Sequence, residues 1–331
     1  MSNPNCKNII LISPSFFGYE IEISNKLKQL GYNVHFIDDR KSNDTFTKSI
    51  LRLGIFKSFL LKKFKSYFLN ELDKSLFNFN VDYVIVISPE GFSREILLEF
   101  KLKLPHSKFI LYMWDSMLNK KNAVDCLPYY NFKYSFDSND AHFYNLNFLP
   151  LFYIDDYKLE INKCPRYKFC FIGTAHSDRI ELVKNIVEKY SDFSFFMYFY
   201  LQSRFLYYYF KLSGTNFKNV KSNEINYTSL NKFETIEIIN DSEIIIDIHH
   251  PNQVGLTMRQ IEMIAARKKV ITTNPHVSKY DFYNPKNILI IDRDHPIIPN
   301  QYVNELYVDL DSSIYDKYSI NNWLITMLNQ K

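Results

Sequence analysis

Thr257, Arg259, Gln260 and Glu262 stand close together in a stretch whose pattern is that of a helix start. Thr257 lies three residues ahead of Gln260, which is a capping box, so the helix should begin there. The first turn of a helix offers free N–H groups and a positive dipole end, a natural seat for phosphate. Arg259 adds a fixed charge with a planar fork. Glu262, three residues further on, shares its face. Such a set suits a nucleotide, with Arg259 on a diphosphate and Glu262 on ribose hydroxyls. A capped surface helix carrying an Arg–Glu pair has the same pattern, and spacing alone leaves both readings open.

The elements that must hold these residues are set by the flanking sequence. Residues 243–248 form an Ile-rich apolar run of the kind buried in a parallel sheet. The loop 249–256 holds Pro251, Asn252 and Gly255, which break regular structure. Lys269 to Thr273 supplies the next strand. In an open α/β sheet this loop lies at the carboxyl end of a strand, where ligands bind. Gly255, Leu256 and Thr257, where loop gives way to helix, are the expected seat of a pyrophosphate.

A similar unit occurs earlier, at Lys168 to Ile172 followed by Gly173, Thr174, Ala175, His176, Ser177, Asp178 and Arg179. Strand, glycine, turn and helix again make an anion seat. Thr174 and His176 could touch a diphosphate or sugar, and Arg179 could neutralise it. His176 could equally be a loop histidine with one structural hydrogen bond.

The chain opens as a βαβ unit: strand at 8–13, a loop with Gly18, a helix at 21–30 ended by Gly31, and a strand at 33–37. No GxGxxG is present, so the dinucleotide fingerprint is missing. Apolar strands at 81–88 and 109–113 lead into Glu90 and Asp115. A carboxylate at a strand end can act as a general base or bind an acceptor hydroxyl, and a cap or turn role stays open for each. A further strand is expected at 134–137, with Asp137 and Asp140 starting a turn and helix. Residues 149–165 lack periodicity and carry Pro150 and Pro165, which marks a domain crossing. Later strands are expected at 193–200, 216–220 and 287–291, with helices at 204–212, 232–240 and 312–329.

A chain of 331 residues is long enough for two domains. Its net charge of +4 is too mild for nucleic-acid binding as the main task. Cys6, Cys126, Cys164 and Cys170 show no CxxC pair or zinc-like spacing, which fits a reducing cytoplasm. The first residues lack a basic region followed by a long apolar run, and no stretch of about eighteen apolar residues could span a membrane. Residues 51–79 have helical periodicity with lysines at 57, 62, 63 and 65. They read as a domain-surface helix or, secondarily, as a basic helix lying on anionic lipid.

GLTMRQIE followed by KKVITTN resembles the donor-site helix of GT-B glycosyltransferases, especially the CgeB-like and lipopolysaccharide-core or capsule-biosynthesis enzymes of bacteria. SPSFFGYE, LYMWDS, SFDSNDAHFY, LPLFY, FIGTAHSDR and YDFYNPKNILIIDR resemble the same group and occur in the expected order. Retaining members carry two glutamates eight residues apart here; Glu262 matches the second, and Val254 stands at the first. The resemblance implies two Rossmann-like doubly wound domains facing a cleft. Residues 1–152 would hold the acceptor and 166–311 the nucleotide-sugar, with a helix over 312–331 packing back toward the first domain. It implies a glycosyltransferase using a saccharide or lipid-linked saccharide acceptor in lipopolysaccharide or capsule synthesis. The nucleotide-sugar is its substrate, with no cofactor or metal, and a lipid-linked acceptor would make peripheral contact with the inner face of the cytoplasmic membrane useful. By resemblance Asp115, within WDS, is the preferred base. Gly18 would let the first loop approach a donor phosphate or the acceptor, beside the plainer reading of a turn glycine.

Other constellations carry less. Asp247, His249 and His250 could join His176 around a metal, but no fourth ligand is indicated. The DxD triplets 292–294 and 309–311 come too late for a nucleotide-binding half of another fold. GxSxG and GxxxxGK[ST] are both missing. Two rivals to the transferase remain: a sugar-nucleotide epimerase on the same fold, and a non-catalytic scaffold of a polysaccharide-synthesis complex.

Overall fold

The computed structural model describes residues 6–40, 57–76, 80–160, 164–175, 178–213, 217–250 and 254–329. The chain divides into two compact units, Met1–Pro150 with Ile320–Lys331, and Leu151–Ser319.

In the first unit six parallel strands are ordered β2-β1-β3-β4-β5-β6. They are β1 (Asn8–Ser13), β2 (Asn33–Asp38), β3 (Tyr83–Ile87), β4 (Lys108–Met113), β5 (Phe132–Ser135) and β6 (Asn147–Phe148). Ile9 to Ile12 and Val84 to Ile87 are completely buried, because helices cover both faces of a parallel sheet and every position of a central strand must be apolar. Each such side chain contributes about 1.5–3 kcal/mol by leaving water. Gly31, at φ 90°, turns the chain out of the helix Tyr19–Gln29, a conformation that strains any side chain with a Cβ. Asp137 caps the helix Ser138–Phe143, its carboxylate accepting from the N–H groups of Asn139 and Asp140.

The second unit repeats the plan with β7 (Tyr167–Thr174), β8 (Phe195–Tyr200), β9 (Ile225–Asn226), β10 (Ser242–Asp247), β11 (Lys269–Thr272) and β12 (Ile288–Ile290). All are parallel, in the order β12-β11-β10-β7-β8-β9. The chain starts centrally at β7, runs outward to β9, returns to β10 beside β7, and runs outward the other way. The strand order reverses between β7 and β10, so the crevice that such sheets use for ligands lies at the carboxyl ends of these two strands. In the first unit the corresponding reversal is between β1 and β3.

Two sequence expectations change. Residues 217–219 form a turn, and the third strand of this half is β9. The final helix expected over 312–329 is two helices, Ser312–Lys317 and Ile320–Leu328. Its break is imposed by Tyr153, whose N–H takes the Tyr318 carbonyl at 2.9 Å in a parallel bridge to Ser319, so that carbonyl is used between segments. The second of these helices belongs to the first unit, where Trp323 stands edge-on to Tyr112 at 4.7 Å. Within 51–79, a helix is described over Lys57–Leu76, and the flanks 51–56 and 77–79 lie outside the described residues. Lys65 on that helix is paired with Glu99 at 2.8 Å. Among the described residues, no helix is long and apolar enough to cross a membrane.

Candidate active site

At the reversal in the second unit, two strand ends each lead into a helix. β10 ends at Asp247, and the helix Met258–Ala266 comes after its loop. β7 ends at Gly173 and Thr174, and the helix Arg179–Lys189 comes next. Thr257 caps the first helix, its hydroxyl oxygen accepting from the Gln260 N–H at 3.2 Å. The same hydroxyl bonds the Asp247 carboxylate, tying the strand end to the helix start. The capping box is only half made: Gln260 turns into the protein, and both polar atoms of its amide are buried without a partner among the described residues. Gly255 and Leu256 are buried ahead of the cap, so the main chain is what they can offer a ligand. Asn274 steadies this loop by donating its amide to the Val254 carbonyl at 3.2 Å.

Charge is concentrated here. Burial pushes the Asp247 carboxyl up, and Arg179, the Thr257 hydroxyl and Arg259 pull it back. Burial pulls the Arg179 guanidinium down, and Asp247 opposes that. Among the described residues, Oδ2 of Asp247 and Nε of Arg179 are buried without a protein hydrogen-bond partner. A charged group removed from water and left short of partners is costly. Arg293, from the loop after β12, grips both oxygens of Asp178 at 2.5 and 2.6 Å and donates to the His249 carbonyl. Asp178 is the N-cap residue of the helix Arg179–Lys189 and makes no side-chain cap among the described residues. His249 shares a 2.8 Å hydrogen bond with Thr273; burial, then Arg293, pull its pKa down to about 4.

Arg259 donates from Nη1 to Oε2 of Glu262 at 3.0 Å, and Glu262 is only 3% exposed. Tyr157, in the short 3-10 turn Asp155–Tyr157, reaches both partners with its hydroxyl. Burial pushes that hydroxyl well above its ordinary range, with Glu262 adding and Arg259 opposing. The ion pair read from the sequence as a ligand grip is therefore also a buried internal link. Thr174, Arg179, Gly255, Leu256, Thr257, Arg259 and Glu262 fall on the two helix starts and the strand ends leading to them. His176, with Ser177, lies outside the described residues.

The rim of the first sheet is organised differently. Asp38 accepts from the Ser15 hydroxyl at 2.7 Å and from the Arg40 N–H at 2.8 Å. Asp39 is fully buried and accepts from the backbone N–H groups of Glu90, Gly91 and Phe92. Burial pushes its carboxyl up, and the three N–H groups pull against that. A Cβ on Gly91 would come within 2.5 Å of the Asp39 carbonyl, which explains the glycine. Ser88 accepts from the Trp114 N–H at 2.8 Å, and Asp140 from the Met117 N–H at 2.8 Å. Successive loops are thus laced together. Glu90 is held by a two-pronged contact from Arg40, both distances 2.8 Å, and by Lys120. Burial would raise its pKa, but Lys120 and Arg40 outweigh burial and hold it below the ordinary carboxylate range. Asp115 accepts within its own turn, from the Ser116 N–H at 2.8 Å and the Asn119 amide at 2.9 Å. Gly18 caps the helix Tyr19–Gln29 with φ 81°, and a Cβ there would meet nothing within 4 Å, so backbone conformation alone calls for glycine.

Sequence reasoning missed Tyr157 and Arg293. Arg293 was visible only as the middle of a DxD triplet, and its partner Asp178 is 115 residues away. Tyr157 comes after the paired aspartates of the crossing segment, and nothing local marks it.

No protein-family model matches the chain, and no curated protein matches it in sequence. Solved structures do. A glycosyltransferase from Rickettsia africae ESF-5 is similar over 99% of this chain and 100% of its own, with 16% identity and a TM-score of 0.59. HepE of Anabaena, solved in complex with UDP and glucose, is similar over 97% and 99%, with 9% identity and a TM-score of 0.59. The UDP-GlcNAc 2-epimerase of Neisseria meningitidis, bound to UDP-GlcNAc, is similar over 98% and 100%, with 13% identity and a TM-score of 0.52. At such identities the likeness is one of fold. The fold is GT-B, two Rossmann-like doubly wound domains, as expected from the sequence.

Proposed function

We propose that this protein is a glycosyltransferase that moves a sugar from a nucleotide-sugar to a saccharide acceptor, in lipopolysaccharide or capsule biosynthesis. The observation that carries the reading is the second unit's reversal point, where two helix starts, Arg179 and Arg259 surround a buried carboxylate short of partners. A departing nucleoside diphosphate gathers negative charge in the transition state, and fixed donors aimed at that charge lower the barrier. The main chain at Gly255 and Leu256, the Thr257 cap, Arg259, Arg179, Thr174 and Gly173 supply such donors or the close approach they need. Glu262, positioned by Arg259 and Tyr157, orients the ribose. The nucleotide-sugar is substrate, not cofactor. HepE was solved with UDP, which makes UDP-sugars the first donors to test.

The first unit takes the acceptor. Asp115 is the better base, because Glu90 already neutralises two cations and is held ionised by them. A carboxylate pinned in that way is a weak proton acceptor. The CgeB-like resemblance, including WDS around Asp115, points to a growing core or capsule saccharide.

An assay of sugar transfer with UDP-, GDP-, CDP- and ADP-sugars tests this directly. Glu262→Gln and Arg259→Ala should lose transfer while circular dichroism stays native. Full activity in both would remove the site. The epimerase reading rests on the likeness to the Neisseria enzyme. It predicts conversion of a nucleotide-sugar with no acceptor and no free nucleotide, whereas transfer releases nucleotide in step with acceptor glycosylation.

A further inference from the structure

The helix Arg204–Leu212, RFLYYYFKL, comes after β8 in the second unit. Its inner face is anchored by Tyr207, which is buried and donates its hydroxyl to the Val220 carbonyl at 2.9 Å. Phe205, Tyr208, Tyr209 and Leu212 sit at i, i+3, i+4 and i+7, so they form one stripe along the opposite side. They are 76, 59, 57 and 88% exposed in the whole chain. A contiguous stripe of large apolar and aromatic groups marks an interaction surface, where a scattered one would not.

The charge of the surrounding sequence points to what the stripe meets, although Lys211 turns to the inner side, where it donates to the Tyr207 hydroxyl at 3.1 Å. Residues 201–221 contain Arg204, Lys211, Lys218 and Lys221 and no aspartate or glutamate. That is +4, equal to the formal net charge of the chain, so the remainder is neutral as a whole. Arg204, Lys218 and Lys221 are exposed. The next acid in sequence, Glu224, is engaged by Lys184 at 2.5 Å. A second copy docked on this face would set like charges against each other. An anionic bilayer offers the opposite charge, an apolar boundary for Phe and Leu, and a headgroup layer in which Tyr is favoured.

We propose that the Arg204–Leu212 helix is where this protein lies on an anionic lipid bilayer. Phe205 and Leu212 enter the acyl boundary, the Tyr208 and Tyr209 rings sit at headgroup level, and Arg204, Lys218 and Lys221 lie over lipid phosphates. The inference is independent of the transferase reading. It also moves the membrane contact away from residues 51–79, where Lys65 already has an acidic partner.

Flotation of the full chain with phosphatidylcholine vesicles, with and without phosphatidylglycerol, tests it. The protein should float only with the anionic vesicles and be released by high salt. Phe205→Ser with Leu212→Ser, and separately Lys218→Glu with Lys221→Glu, should each lower vesicle partitioning at least about tenfold. These positions are exposed, so the melting temperature should hold. Lys65→Glu should float like the parent. Tyr208→Trp should add a blue-shifted emission on anionic vesicles. The proposal is overturned if no vesicle binding occurs, if the face variants bind as the parent does, or if the face instead drives lipid-free self-association that those variants abolish.

Discussion

The two sheets share a plan, yet their carboxyl rims use charge in opposite ways. In the first unit Asp38, Asp39 and Asp140 are bonded to main-chain N–H groups of neighbouring loops, and Glu90 sits between Arg40 and Lys120. Those carboxylates are occupied in holding the rim's shape. In the second unit Asp247 and Arg179 each bury an atom that has no hydrogen-bond partner among the described residues, and Gln260 keeps its amide in the same condition. Since buried polar groups in folded proteins nearly all find partners, we read the gathering of three such residues at one reversal point as the place proposed for the ligand. On the proposed reading, the laced rim serves as a rigid platform and the incompletely satisfied one binds the ligand.

The contrast can be broken by substitution. The largest effect should come from Arg259→Ala, with transfer falling at least about a hundredfold, as for loss of a donor to transition-state charge. A rate within a few-fold of the parent would place the charge stabilisation elsewhere. Next is Asp39→Ala, which strips three N–H groups of their acceptor. Urea unfolding should show a loss of about 2–4 kcal/mol while nucleotide affinity is unchanged. A matching fall in nucleotide affinity would erase the division of labour.

A pH profile sharpens the second rim. His249 keeps a folded pKa of about 4 against an ordinary 6.5, so between these values the unfolded chain binds a proton that the folded one does not. Stability should therefore fall as pH drops from 6.5 to 4, and His249→Gln should flatten that limb in urea titrations. An unchanged limb would assign the acid sensitivity to other groups. The smallest effect belongs to Gly18→Ala, about 1 kcal/mol of stability from the left-handed backbone, with nucleotide affinity retained. A sharp loss of nucleotide affinity would instead put the first loop in contact with the donor.

Much of the fold is legible in the amino-acid sequence alone. Buried parallel strands need unbroken apolar runs, so β1, β3, β4, β7, β10 and β11 stand out, and Thr257 marks its helix start by residue type. The two-residue strands β6 and β9 carry no such run, being edge strands that need little apolar surface. The break at Tyr318 and Ser319 comes from Tyr153, far away in sequence. Site chemistry is legible where it is local, as in Arg259 and Glu262. The Arg293–Asp178 clasp and the Tyr157 link depend on pairings across long stretches of chain, which composition and period do not encode.

The central claim is that the second unit's reversal point binds the diphosphate of a nucleotide-sugar. Calorimetric titration of the full chain with UDP, GDP, CDP and ADP, repeated on Arg179→Ala and Arg259→Ala, tests it most directly. The account predicts selective binding of one nucleoside diphosphate by the parent, weakened at least about tenfold in each variant. Equal binding by all three proteins, or none by the parent, would contradict it.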